Sequence, residues 1–163
     1  EVVGGGAGAF ALSDKASRAE FMRLPEVMKT IRYIGLGVTE AGIAQGSAAM
    51  EDLAELLHCC SEKGHDSICV ICTDNVACVG DKILDFIKGS KFAEGLGDAR
   101  VAFIQYLSMS VFFPNTMVDR ITAHRKGDMT VPRTETLPAK ALVLEDLTGA
   151  EGRGGVGVPV DLE

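Results

Sequence analysis

Apolar runs alternate with amphipathic stretches along this chain, and a polar or glycine-rich break follows each run. Val2-Val3 reads as the end of a buried strand that enters a glycine turn. Ser17 to Lys29 carries Phe21, Leu24 and Met28 at helical spacing, and Pro25 is placed to begin a second, shorter helix. "IRYIGLGV", 31–38, reads as a buried strand. Ser47 is a capping residue for a helix with Glu51 and Asp52 in its first turn, where the helix dipole favours acids. Its apolar positions Met50, Leu53, Ala54, Leu57 and Cys60 follow the 3, 4, 7 spacing. "SICVICT", 67–73, is β-rich and apolar on both faces, as in a parallel sheet. Asp81 is placed to cap a short helix, Lys82 to Lys88, that Gly89 stops. Asp98 is placed to cap another, from Ala99 to about Leu107. "SVFFP" and "KALVLED", 140–146, read as two further strands.

Strands that are continuous apolar runs, alternating with helices, define an α/β domain with a mostly parallel sheet. Such sheets bind ligands at the C-terminal ends of their strands. The polar motifs fall at those ends: "GGGAGAF", "VTEAG", "TDN", "PN" and "ED". The sequence holds two asparagines, Asn75 and Asn115, and both lie there.

Composition narrows this picture. The 163 residues suffice for one domain with a real core, assigned to 1–148, followed by a Gly-rich tail or linker at 149–163. With 47% hydrophobic and 24% charged residues the chain is globular in character. A net charge of −7 argues against a nucleic-acid or anionic-membrane surface. The longest apolar run, Val101 to Phe113, is interrupted by Gln105, Ser108 and Ser110, so no membrane-spanning segment is expected. The opening "EVVGGGAG" looks like the end of a strand, and the native chain is expected to begin before Glu1. Cys59, Cys60, Cys69, Cys72 and Cys78 are odd in number and clustered. That is unlike a secreted disulfide framework and points to an intracellular, reducing compartment, the cytosol or an organelle matrix.

Gly6-Ala7-Gly8-Ala9-Phe10-Ala11 fits G-x-G-x-x-A, a turn that lets backbone approach a dinucleotide pyrophosphate. The "ALSDKASRAE" that follows is a poor amphipathic helix, and no clear strand ending in an acid follows about twenty residues on. Thr39-Glu40, after the second glycine turn, reads as a polar cleft wall. Cys69 and Cys72 form C-x-x-C, but on a strand they face opposite sides, so one metal cannot easily take both. Buried reduced cysteine is the reading for them, and no metal is expected. His58, His65 and His124 read as ordinary surface or helix-end residues. Asp119 and Arg120, framed by apolar residues, read as a structural pair with a cleft role as the alternative.

"VFFPNTMVDRIT" resembles the signature of the mannitol dehydrogenase family, the polyol-specific long-chain dehydrogenases that include hexuronate reductases. Val111, Phe113, Thr116, Val118, Asp119, Arg120 and Ile121 match it, whereas Ala123 stands where Pro or Ser is usual. "VVGGGAGAF", "IRYIGLGVTEAG", "ICTDNVACVG" and "ALVLED" resemble other family segments in the same order, so the likeness runs from Glu1 to about Asp146. The resemblance implies a Rossmann-like domain that binds NAD or NADP, reduced or incomplete because a segment after the first turn is absent. It implies cofactor contacts from Gly6, Gly8, Phe10, Thr39, Glu40, Asp74 and Asn75. It further implies that Asn115 reaches the reacting oxygen of a polyol or ketose and that Asp146 stands near the substrate. An asparagine amide there would stabilise charge developing on a carbonyl oxygen.

The family's His-Arg-x-His after the first turn is "ALSD" here. Its catalytic lysine lies within Lys-x-x-x-x-Asn-x-x-His in a helical C-terminal domain, which is absent from this chain, and no Lys here has an Asn five residues later. Three functions follow as expectations. The chain is the nucleotide-binding part of a polyol or hexuronate dehydrogenase, with a dinucleotide and a sugar alcohol as partners. Alternatively it is a non-catalytic relative serving as an interaction or assembly subunit with protein partners, or a nucleotide-binding sensor.

Overall fold

The computed structural model describes residues 8–119, 123–125, 128–133 and 141–145. The N-terminal helical pattern resolves into two pieces, α1 (Lys15–Met22) and α2 (Leu24–Val27), with Pro25 in the first turn of α2. Proline is tolerated there because the N–H it lacks would have no helical partner. The Arg18 guanidinium on α1 donates to Asp52 Oδ1 at 2.7 Å and Glu55 Oε2 at 2.6 Å, tying α1 to the next long helix.

The parallel sheet consists of β1 (Tyr33–Leu36), β2 (Ile68–Cys72) and β3 (Val111–Phe112), in the order β1-β2-β3. β2 is central and buried at every position, the property its unbroken apolar run predicts. Its alternation sends Ile68, Val70 and Cys72 into the main core, while Cys69 and Ile71 join Phe112 and Leu144 in a second cluster. Cys69 and Cys72 therefore do lie on opposite faces of the sheet.

The helices supply the main core. α3 (Ala48–Glu62) is capped by Ser47, whose Oγ accepts the Met50 N–H, and buries Met50, Leu53, Ala54, Leu56, Leu57 and Cys60. α4 (Val79–Lys88) begins three residues earlier than the sequence indicates. Cys78, in the left-handed conformation with φ 52°, is its N-terminal flanking residue, and Asp81 is its third helical residue rather than its cap. α5 (Lys91–Gly95) is too short to show as a periodic pattern, and its first N–H groups find carboxylate partners in Glu51. α6 (Ala99–Ser110) runs through the first residue of "SVFFP", leaving only Val111 and Phe112 as strand. Asp98 flanks α6 but makes no side-chain cap.

Two of the three histidines depart from the expectation of ordinary surface positions. His58 on α3 packs edge-on against Phe92 and Phe103, each at 5.5 Å between ring centres. His65 is buried: Ile31 N–H donates to its Nδ1 at 3.3 Å, and its Nε2–H donates to the Pro25 carbonyl at 2.7 Å. An imidazole offers a donor and an acceptor on one rigid ring, so it can satisfy two backbone groups that apolar residues would strand.

Beyond β3 the chain forms antiparallel ribbons. β4 (Thr116–Asp119) pairs with β7 (Ala141–Leu144), and β5 (Ala123–Arg125) pairs with β6 (Asp128–Arg133). "KALVLED" thus yields a strand, but in a ribbon with β4 and not in the parallel sheet. β5 and β6 carry no alternation that foretold them. Among the described residues no helix is long and apolar enough to cross a membrane. Val2-Val3, Gly6, Arg120, Asp146 and the 149–163 tail lie outside the described residues, and of Asp119 only the backbone is described.

Candidate functional site

The C-terminal end of β2 and the start of β4 meet because buried Thr116 donates its hydroxyl to the Cys72 carbonyl at 2.8 Å. From β2 the chain turns through Asp74 and Asn75 into α4. The Asp74 N–H donates to Cys72 Sγ at 3.5 Å, and Asp74 Oδ1 accepts the Asn75 N–H at 3.0 Å. Asp74 is therefore engaged in holding the turn, the role short acidic side chains play in loops. α4 then approaches the Phe113-Pro114 backbone so closely that a Cβ on Gly80 would lie 2.1 Å from the Phe113 carbonyl oxygen. Only glycine allows that approach.

The close approach places Asn115 against the first turn of α4. The Gly80 N–H donates to Asn115 Oδ1 at 3.0 Å, and Asn115 Nδ2 donates to Asp81 Oδ2 at 3.1 Å. The Asn115 main chain is held from the other side: its N–H donates to Glu145 Oε2 at 3.1 Å, and the Glu145 N–H donates to the Asn115 carbonyl at 2.9 Å. The result is an open cleft of about 580 Å³ lined by Asn75, Val76, Ala77, Cys78, Asn115, Thr116, Met117, Val143, Leu144 and Glu145. Its polar groups are few and convergent, and the rest of its wall is apolar, the composition of small-molecule sites. Burial pushes the Cys72 thiol above its ordinary range, so this sulfur in the turn that Asp74 closes is a neutral hydrogen-bonding group and not a thiolate.

Of the sequence-derived site residues, the cleft gathers Asn75 and Asn115, with Asp74 in the turn behind them. Thr39 and Glu40 are exposed in the turn after β1, where the Thr39 carbonyl accepts the Gly42 N–H at 2.7 Å, and they do not line the cleft. Gly8 stands in open space, with nothing within 4 Å of a notional Cβ. Phe10 turns back onto Phe21, 5.8 Å between ring centres. The N-terminus of α1 is closed by its own residues: Asp14 accepts the Ser17 N–H at 2.8 Å, and Ser17 Oγ accepts the Ala11 N–H at 2.8 Å. Met117 and Val143 escaped the sequence reading as lining residues, and Glu145 entered it only as part of the strand-end motif "ED". Glu145 sits one residue from the expected Asp146, and Met117 and Val143 are apolar residues left exposed by pairing across the ribbon.

A parallel sheet with flanking helices and a cleft at its strand ends defines a Rossmann-like α/β domain. The chain belongs to the mannitol dehydrogenase family: residues 7–143 match the family described as "Mannitol dehydrogenase Rossmann domain". Among solved structures, a D-sorbitol dehydrogenase in substrate-free form is 21% identical with a TM-score of 0.49, the match covering 74% of this chain and 28% of that one. The mannitol 2-dehydrogenase of Pseudomonas fluorescens, in a ternary complex with NAD and D-mannitol, is 21% identical with a TM-score of 0.49, covering 68% of this chain and 25% of that one. The chain thus spans no more than 28% of the length of these two dehydrogenases. No curated protein matches it.

Proposed function

We propose that this chain is the nucleotide-binding part of a polyol or hexuronate dehydrogenase, taking the nicotinamide end of NAD(H) or NADP(H) in the cleft between Asn75 and Asn115. The observation that carries this reading is the orientation of the Asn115 amide. An asparagine NH₂ has two hydrogens. One points to Asp81, and the other has no protein partner among the described residues, although Asn115 lines the cleft. That second N–H is a donor for an oxygen held in the cleft.

The nicotinamide, when bound, donates or accepts the hydride. The chain's own residues bind and polarise. Asn115 donates to the sugar oxygen, most strongly as that oxygen gains negative charge. Val76, Ala77, Met117 and Val143 give the cleft an apolar wall that disfavours water. Asp146, by its place after Glu145, stands near the substrate in this reading. Gly6 and Gly8 form the turn for the diphosphate, and Thr39 and Glu40 flank the strand ends. The alcohol proton passes in this reading to a lysine of a companion helical domain, because no Lys of this chain has an Asn five residues later. Five thiols, none in a disulfide, suit a reducing compartment.

One observation favours a second reading, a non-catalytic subunit that keeps the fold. The Asp14 carboxylate already occupies the N-terminus of α1, where a Rossmann domain binds the diphosphate. An anion there repels a second one. Titration of the chain into NADH separates the two. The sequence has no Trp, so nicotinamide fluorescence is read against little protein signal. A saturable change is expected, and none at millimolar cofactor sinks the nucleotide-binding reading in favour of the subunit.

A further inference from the structure

We infer that Asp81 is the positioning residue for Asn115, fixing which end of its amide faces the cleft. This rests on the reading above of Asn115 as the donor to the substrate oxygen. An asparagine amide can be turned by half a rotation with almost no change in shape, and the two states present opposite chemistry: a donor or an acceptor. Here both partners select the same state. The Gly80 N–H requires an acceptor and receives Oδ1 at 3.0 Å. The Asp81 carboxylate requires a donor and receives Nδ2 at 3.1 Å. The reversed amide sets N–H against N–H at Gly80 and oxygen against a carboxylate at Asp81, so each contact becomes repulsive.

The two partners are neighbours on the first turn of α4, so the helix start acts as a two-pronged template for one side chain. Gly80 contributes through its backbone N–H, so a side chain there acts on the bond only by displacing α4. Asp81 is the prong that sequence can change. An acid at the third helical position also gains from the helix dipole whatever else it does. A purely structural Asp81 would therefore alter thermal stability and leave the Asn115 amide as it is.

The test uses the side-chain amide resonances of the ¹⁵N-labelled chain. Labelling with ¹⁵N-asparagine leaves out the Gln45 and Gln105 amides, and since Asn75 and Asn115 are the only asparagines, Asn75→Ser then assigns both pairs. In Asp81→Ala the Asn115 Nδ2 resonances move and the Asn75 pair stays in place. Asp81→Asn, which keeps an oxygen acceptor and the side-chain shape, gives a smaller movement. Coincident Asn115 resonances in wild type and Asp81→Ala overturn the inference, whatever happens to the melting temperature. A second arm titrates NADH into wild type and Asp81→Ala, because turnover also needs the lysine of the companion domain. Equal cofactor affinity in the two chains is expected, since Asp81 acts through Asn115 on the substrate oxygen, and a loss of NADH binding in Asp81→Ala overturns the inference by making Asp81 part of the cofactor site. If the wild-type chain shows no saturable NADH signal, the nucleotide-binding reading falls, and the resonances alone still decide whether Asp81 positions Asn115.

Discussion

The backbone N–H of Gly80 donates to Asn115 Oδ1 at 3.0 Å, and this bond exists because Gly80 has no side chain. A Cβ at that position would lie 2.1 Å from the Phe113 carbonyl oxygen and 2.8 Å from the Pro114 carbonyl carbon. Those are backbone atoms, which cannot swing aside as a flexible side chain would. Gly80→Ala must push α4 away from the Phe113-Pro114 backbone and lengthen the bond to Asn115. The expected cost is about 1–3 kcal/mol, the range for overpacking. Urea unfolding checks it, and a wild-type midpoint would show that the helix is not held against Phe113.

The acid at the start of α1 makes a second prediction. Asp14→Ser keeps a capping oxygen for the Ser17 N–H but removes the negative charge. Stability should change by no more than about 0.5 kcal/mol, since serine and aspartate cap about equally well. If the diphosphate of a dinucleotide binds there, losing the repulsion is worth about 1 kcal/mol at a helix terminus. NADH should then bind about fivefold more tightly to the variant. Equal affinity would place the diphosphate elsewhere.

These two positions show what the sequence could disclose. The local periods of α3 and β2 were legible because each element buries its apolar residues on the pattern its geometry dictates, 3.6 for the helix and two-sided burial for the central strand. Asn115 was legible as a candidate because a polar side chain following an apolar run is placed at a strand end. The partners of its amide were not. Asp81 reads naturally as a cap, and only the Gly80–Phe113 approach pulls the helix start forward to Val79 and leaves Asp81 facing Asn115. His65 was misread for the same reason. Its partners are the main-chain groups of Ile31 and Pro25, more than thirty residues away, and a backbone partner leaves no mark on residue identity.

The cysteines differ in environment, and reactivity should follow. Cys78 is exposed, whereas Cys60, Cys69 and Cys72 are buried. Burial raises the pKa of each buried thiol, that of Cys60 up to about 12. A thiol-specific reagent at pH 8 should modify Cys78 in the native chain and reach the buried three only on unfolding. The same shift has a pH consequence. A folded pKa above the unfolded one means that the unfolded chain releases its proton first as pH rises. The stability linked to Cys60 is therefore complete below pH 9 and declines toward pH 12 by up to about 1.4 kcal/mol per pH unit. Cys60→Ala should be less stable at pH 8 yet show a flatter alkaline decline. Parallel declines in the two chains would show that other groups carry the alkaline effect.

His65 ties three segments whose own geometry does not bring them together: α2 through the Pro25 carbonyl, the approach to β1 through the Ile31 N–H, and the loop that leaves α3. The two bonds set the roles of the ring nitrogens, Nδ1 accepting from Ile31 and Nε2–H donating to Pro25. His65→Leu fills much of the same space but leaves the Ile31 N–H and the Pro25 carbonyl without partners. Each buried, unsatisfied group costs about 1–3 kcal/mol, so the substitution should remove about 2–6 kcal/mol of stability. His65→Gln offers an acceptor and a donor on a flexible chain and should recover part of it. Hydrogen exchange locates the effect more sharply than global unfolding. The Ile31 amide should lose protection in His65→Leu well beyond the loss at amides inside α6, to which the His65 ring makes no hydrogen bond among the described residues. A uniform loss across both would mean that the ring contributes bulk alone, and that the entrance to β1 is held by its apolar packing.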